Sequence, residues 1–176
     1  MGKKIVIATS GASGVRLVKK FIDALPKEYE CHFIKTDHSD VVNLKEGTNI
    51  TFHKQSDIAA SIASGSFGVD MMAVIPTSMN TVAKIASGIS DNLVCRSAAV
   101  MLKERKTLLL APREMPFSTI DLENMHKLSQ LGVIIAPAVL GYYAKTDSLE
   151  AMEDFMIGKW YDQLGISHTL FQRWGQ

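Results

Sequence analysis

Arg113 and Glu114 stand side by side just after an apolar run, Thr107 to Ala111. Upstream, Ser78, Met79, Asn80 and Thr81 follow a second apolar run that meets Pro76. Thr9-Ser10-Gly11-Ala12-Ser13-Gly14 follows a third, Lys4 to Ala8. Hydroxyls, small residues and one Arg-Glu pair suit a phosphorylated, planar cofactor better than a nucleophile with its base. Small residues in a strand-to-helix turn let backbone N–H groups approach a phosphate, and the helix end adds a favourable dipole. The spacing matches neither common nucleotide fingerprint, so a plain connecting turn is an equal reading of these residues. Arg113-Glu114 likewise reads as an exposed ion pair, worth little to stability. Lys103-Glu104-Arg105-Lys106 has a similar plain account, as a solvated helix end. The five histidines show no paired metal-ligand spacing, and Cys31 and Cys95 stand far apart, so no metal centre is expected.

These groups act together only if the chain gathers them. Apolar runs predict strands at 4–8, 31–35, 71–75, 107–111 and 133–136, with a short edge strand possible at 48–53. Pro76 is expected to end the third of these, because proline cannot extend a ladder. Helical spacing predicts helices over Val15–Leu25, a short one from a Ser39 cap through Leu44, and others over Asp57–Ala63, Val82–Ile89 and Leu93–Arg105. A stripe of Leu122, Met125, Leu128 and Leu131 predicts another, and Leu149–Leu164 a last amphipathic helix. Five strands alternating with helices give an α/β fold, a Rossmann-like doubly wound parallel sheet. In such sheets ligands sit outside the carboxyl ends of the strands. The loops at 9–14, 36–39, 76–81, 113–114 and 137–143 all fall there.

Bulk properties bound the function. The 176 residues fit a single domain spanning 1–176. A net charge of +1 argues against general nucleic-acid binding. No apolar run approaches the roughly 20 residues of a membrane span. The start MGKKIVIATSG reads as a first strand rather than a signal peptide, and unpaired cysteines fit a reducing cytoplasm. Nine methionines suit adaptable core packing, or a flexible pocket or subunit interface. The aromatic tail from about 165 to 176 either wraps its own subunit or docks on a neighbour.

GASG, PTSMNT, DNLVCR, LKERK, PREMPFS, LENM, GYY and RWG occur in an order that resembles the UbiX flavin prenyltransferases. The likeness is continuous from about residue 64 onward and looser before it. It implies an FMN-binding flavoprotein fold and a dodecamer assembled from trimers, with the active site between subunits. It implies transfer of a dimethylallyl group from dimethylallyl monophosphate to N5 and C6 of reduced FMN, without metal. The product is the prenylated FMN of UbiD-type decarboxylases, the small subunit's partners. By position, Gly11, Ala12 and Ser13 match the family's phosphate turn, and Thr36, Ser78, Met79, Asn80, Thr81 and Arg113 its flavin contacts. Glu114, Ser13 and Glu46 match its catalytic groups. Arg96, Lys103, Tyr143 and Lys159 match its ligands for the prenyl phosphate.

The chain departs from the family pattern in places. Its turn after GASG is three or four residues shorter, and Lys159 replaces an arginine, keeping charge but losing the two-pronged grip. Thr77 stands for a cysteine, Ala99 for an aspartate and Asp121 for a histidine, while Ile58 sits near a tryptophan position. Two other readings accompany the resemblance. One is an FMN-binding partner subunit without turnover. The other is an FMN-dependent decarboxylase of cysteine-type substrates, whose loop Ser78–Thr81 resembles but whose substrate motif is missing.

Overall fold

The computed structural model describes residues 2–11, 15–35, 49–142, 148–173 and 175. Six parallel strands form one sheet: β1 (Lys4–Ala8), β2 (Glu30–Lys35), β3 (Ile50–Lys54), β4 (Met71–Thr77), β5 (Thr107–Pro112) and β6 (Ile134–Ile135). Their order is β3-β2-β1-β4-β5-β6. The chain therefore winds one way from β1 to β3 and the other way from β4 to β6. This places the switch point, and the crevice for a ligand, between the carboxyl ends of β1 and β4.

Strand residues alternate between two apolar layers, which is why the runs are apolar on both faces. Val6, Ala8, Met72, Val74, Leu108 and Leu110 pack in the layer with helices α2 (Met79–Ala86), α3 (Leu93–Lys103) and α4 (Thr119–Gln130). Ile5, Ile7, Ala73, Ile75, Leu109 and Ala111 face the other layer, with α1 (Val15–Asp23) and α5 (Leu149–Leu164). There Tyr161 is fully buried and donates its hydroxyl to the Phe21 carbonyl, tying α5 to α1.

The doubly wound sheet is as expected, with differences at particular residues. Pro76 does not end β4, which runs on to Thr77 through a register shift against β5 between Val74 and Thr77. The shift adds one residue to β4, so the missing proline N–H costs no ladder bond. The possible edge strand forms at Ile50–Lys54, while β6 keeps only two residues of the expected four. Between Asp57 and Ala63 only a 3₁₀ turn forms, Ser61–Ala63, followed by another at Gly65–Phe67. Along α4 and its C-cap Leu131, Met125 and Leu128 are buried but Leu122 and Leu131 are 55% and 61% exposed. Each three-residue step falls about 60° short of a full turn, so a stripe of such steps drifts off one face. The expected helix between Ser39 and Leu44 lies outside the described residues.

The tail turns back onto α5 of the same chain. His168 and Arg173 both reach Asp162, at 3.2 and 2.7 Å, and the Phe171 ring packs on Phe155 at 4.8 Å. Gly158 permits this, since a Cβ there would sit 2.5 Å from the Phe171 ring.

Candidate active site

Three loops meet at the switch point, and backbone hydrogen bonds fix their mutual positions. After β1, Thr9 and Ser10 remain buried and Gly11 turns outward with φ +106°. A side chain there would strain the backbone, so glycine leaves the peptide edge bare to a ligand. Ser10 N–H donates to the Pro76 carbonyl at 3.0 Å, and Ser78 N–H donates to Ser10 Oγ at 2.9 Å. A Cβ built on Gly11 would lie 3.8 Å from that of Ser78. The β1 and β4 loops are therefore in contact.

Ser78 caps α2. Its Oγ accepts from Thr81 N–H at 3.3 Å and lies 3.1 Å from Thr81 Oγ1. Thr81 is buried beneath it and Asn80 is exposed. The third loop joins through Arg113, whose N–H donates to the Thr77 carbonyl at 3.2 Å. Arg113 and Glu114 are both exposed at the mouth of the crevice. Glu114 Oε1 accepts from Met115 N–H at 3.1 Å, and the Met115 side chain beyond it is 89% exposed. Asp121, in place of the family's histidine, closes a capping box with Ser118 and so starts α4.

The remaining candidates divide. Lys103 lies at the far end of α3, which leads into the first residue of β5, so it sits at the amino edge of the sheet. Its ammonium rests on Glu104 at 2.8 Å. Arg96 is exposed on the same helix, whose first N–H, that of Leu93, is held by the Gln55 carbonyl beyond β3. Lys159 is exposed on α5 and lines a groove of about 350 Å³ beside β6 with Pro137, Val139 and Gly141. Within one chain, then, backbone hydrogen bonds bring Gly11, Ser78–Thr81, Arg113 and Glu114 together, while Lys103 stands at the opposite edge of the sheet. Ile58 is 56% exposed. Ala12, Ser13, Thr36, Glu46 and Tyr143 lie outside the described residues.

The cysteines take no part. Burial pushes the Cys31 thiol up to about 12 and raises that of Cys95, so neither is a thiolate nucleophile near neutral pH. Among the described residues no group of three or more His, Cys, Asp and Glu side chains is arranged for a metal ion. The bare Gly11 peptide, the first turn of α2 and the Arg113 guanidinium together fit a phosphorylated, planar group such as FMN.

Comparison with known proteins agrees with that chemistry. A family model described as Flavoprotein matches residues 1–160. Flavin prenyltransferase UbiX of Helicobacter pylori is 50% identical over 185 aligned residues, covering 98% of each chain. The chain belongs to the UbiX flavin prenyltransferase family. Among solved UbiX structures, AnUbiX (PadA1) in complex with FMN and dimethylallyl pyrophosphate has a TM-score of 0.91. It is 35% identical, with 100% of this chain and 99% of that one covered. A dodecameric FMN-dependent UbiX-like decarboxylase from Escherichia coli O157:H7 has a TM-score of 0.90 at the same identity, covering 98% and 100%. The UbiX fold thus extends over the whole sheet described above.

Two features of this UbiX chain escaped sequence reasoning: the buried hydroxyls of Ser10 and Thr77, which join the loops. The only signal was their place beside recognised motif residues.

Proposed function

We propose that the protein is a flavin prenyltransferase. It joins the dimethylallyl group of dimethylallyl monophosphate to N5 and C6 of reduced FMN, making the prenylated FMN used by UbiD-type decarboxylases. The observation that carries this reading is the junction of the Gly11, Ser78 and Arg113 loops at the switch point, in a chain half identical to a named flavin prenyltransferase. Reduced FMN supplies the electron-rich ring that takes up the dimethylallyl group as the carbon–oxygen bond to phosphate breaks.

The chain's own residues supply the rest. Gly11, with Ala12 and Ser13 beside it, holds the flavin phosphate through peptide N–H groups, and Ser13 also relays a proton. Thr36, Ser78, Met79, Asn80, Thr81 and Arg113 orient the ring system. Glu114 sits where its carboxylate can take a proton at Oε2 while Oε1 stays on Met115 N–H. Glu46 is the second carboxylate of the site. Arg96, Lys103, Tyr143 and Lys159 stabilise the departing phosphate, which carries the growing negative charge.

Lys103 lies at the opposite edge of the sheet from Gly11 in one chain, which supports a site completed between copies in a homo-oligomer, as in the dodecameric E. coli relative. The outer side of the tail is our candidate for a further contact between copies. No helix among the described residues is long and apolar enough to cross a membrane. With two unpaired cysteines, this supports a cytoplasmic enzyme.

Incubating the protein with reduced FMN and either dimethylallyl monophosphate or the pyrophosphate, then weighing the flavin, tests the reading. A gain of one dimethylallyl unit is expected with the monophosphate. An unchanged flavin with both donors would leave an FMN-binding partner subunit, and CO₂ released from a cysteine-type substrate would make it a decarboxylase.

A further inference from the structure

Thr77 is 1% exposed at the bulge that ends β4, and every polar atom it offers to β5 is used. Its hydroxyl donates to the Val74 carbonyl at 2.7 Å and accepts from Ala111 N–H at 3.0 Å. Its carbonyl accepts from Arg113 N–H at 3.2 Å. Between those two N–H groups stands Pro112, which has none. One residue therefore receives both N–H groups by which β5 can be held as it runs into Arg113-Glu114. The register shift explains why a side chain is required. With an extra residue in β4, Ala111 N–H meets a hydroxyl where an unbroken ladder would offer a carbonyl. On its other side, Thr77 is flanked by Pro76 and Ser78, the two residues that bond to Ser10.

We propose that Thr77 is a positioning residue for the reaction: its hydroxyl sets the exit of β5, and with it the place of Arg113 and Glu114 against the Gly11 turn. This rests on the prenyl-transfer reading and goes beyond it, since a side chain only 1% exposed acts through the strand end it holds. It also gives meaning to the threonine where the family pattern has cysteine. A thiol is a weaker donor and acceptor with longer bonds, so the hydroxyl holds the strand end more closely.

Thr77→Val keeps the shape and removes both hydroxyl bonds, whereas Thr77→Ser keeps them. Steady-state rates well below Tm, FMN Kd and the visible circular dichroism of bound flavin are compared with wild type. The valine variant is expected to lose about 10-fold or more in kcat, as small misplacements of reacting groups do, with donor KM little changed. It should still bind FMN but with an altered circular dichroism band, and the serine variant should restore both rate and band. Thr77→Cys serves if valine fails to fold, with a smaller loss in the same direction. A valine variant that only melts earlier, at wild-type kcat and with an unchanged band, would overturn the proposal; so would a rate loss that serine does not restore. Should wild type itself give no prenylated flavin, the functional reading falls while the band comparison still decides the positioning.

Discussion

The crevice between β1 and β4 and the outer faces of α3 and α5 are built on opposite plans. At the crevice, buried hydroxyls and peptide groups of three loops bond to one another, so Gly11, Ser78 and Arg113 have fixed relative positions before any ligand arrives. On the helices, Arg96, Lys103 and Lys159 stand exposed on long flexible stems, at different places around the chain. On the proposed reading, the difference teaches that one chain fixes the loops of the flavin side of the site, while the cations meant for the prenyl phosphate stand apart on α3 and α5. Fixed peptide groups suit a ring that must be oriented; exposed cations on long stems suit an anion that must enter and leave.

The largest break of this comparison is expected at Glu114, which stands beside the fixed loops and on the proposed reading acts on the transfer. Glu114→Gln preserves shape and an oxygen to accept from Met115 N–H, and removes the proton chemistry. It should leave FMN Kd nearly unchanged and lower kcat by roughly 10²–10⁴-fold, the usual worth of a positioned acid or base. Single-turnover rates check this; wild-type turnover would return Glu114 to an exposed surface carboxylate.

Gly11→Val attacks the fixed half directly. A β-branched residue is strained at φ +106°, and its side chain would cover the peptide edge facing the ligand. FMN affinity should fall roughly 10–100-fold, in line with the strain of a disfavoured backbone region. Fluorescence titration measures it, and an unchanged Kd would move the phosphate elsewhere.

The other half should respond differently. Lys103→Ala and Lys159→Ala should each raise donor KM by about 10-fold, since each removes a charge-assisted contact, with FMN Kd preserved. Mixing sharpens the point. Lys103→Ala and Glu114→Gln copies, unfolded and reassembled together, should turn over faster at donor concentrations well below KM than the mean of the two variants reassembled apart, because some sites then draw both good residues from different chains. No such gain would mean that each site takes both residues from the same chain.

How much of this was legible in the sequence follows the same division. Strands with both faces buried announce themselves by unbroken apolar runs, so the order of elements and the loops at the carboxyl edge could be read directly. Arg113-Glu114 and Ser78–Thr81 were placed by that logic. The role of Thr77 was not, because a bulge is set by the pairing of two strands and neither strand shows it alone. Pro76 misled for the same reason: it breaks a ladder only where the ladder is regular. The helix over Asp57–Ala63 failed because single-sequence spacing cannot tell 3₁₀ turns from one α-helical stretch. Lys103 and Lys159 were assigned by likeness to a family, although a helix over Leu93–Arg105 running straight into a strand at 107 already puts Lys103 at the amino edge, away from the crevice.

The smallest effect is expected at the outer rim of the flavin half, where a titratable link replaces the hydroxyls. β2 and β3 flank the segment that carries Thr36 and Glu46, and His32 and His53 join these strands through a 3.0 Å contact between Nδ1 and Nε2. His32 Nε2 lies 3.0 Å from Glu30 Oε1, and a carboxylate only accepts, so His32 Nδ1 is left to accept from His53 Nε2–H. Burial, then the neighbouring His32, lowers the His53 pKa, against the pull of Asp57. A folded value below the unfolded one means that the unfolded chain binds the proton more tightly. The link's contribution is therefore fully present above the unfolded value of about 6.5 and is lost as pH falls below it. Tm should decline modestly from pH 7 to pH 5, and His53→Asn, which cannot take up the proton, should flatten that decline. FMN affinity should follow Tm over the same interval if the β2–β3 rim steadies the flavin, whereas donor KM at saturating FMN should not. A Tm profile unchanged by His53→Asn would show that this rim owes nothing to the histidine pair.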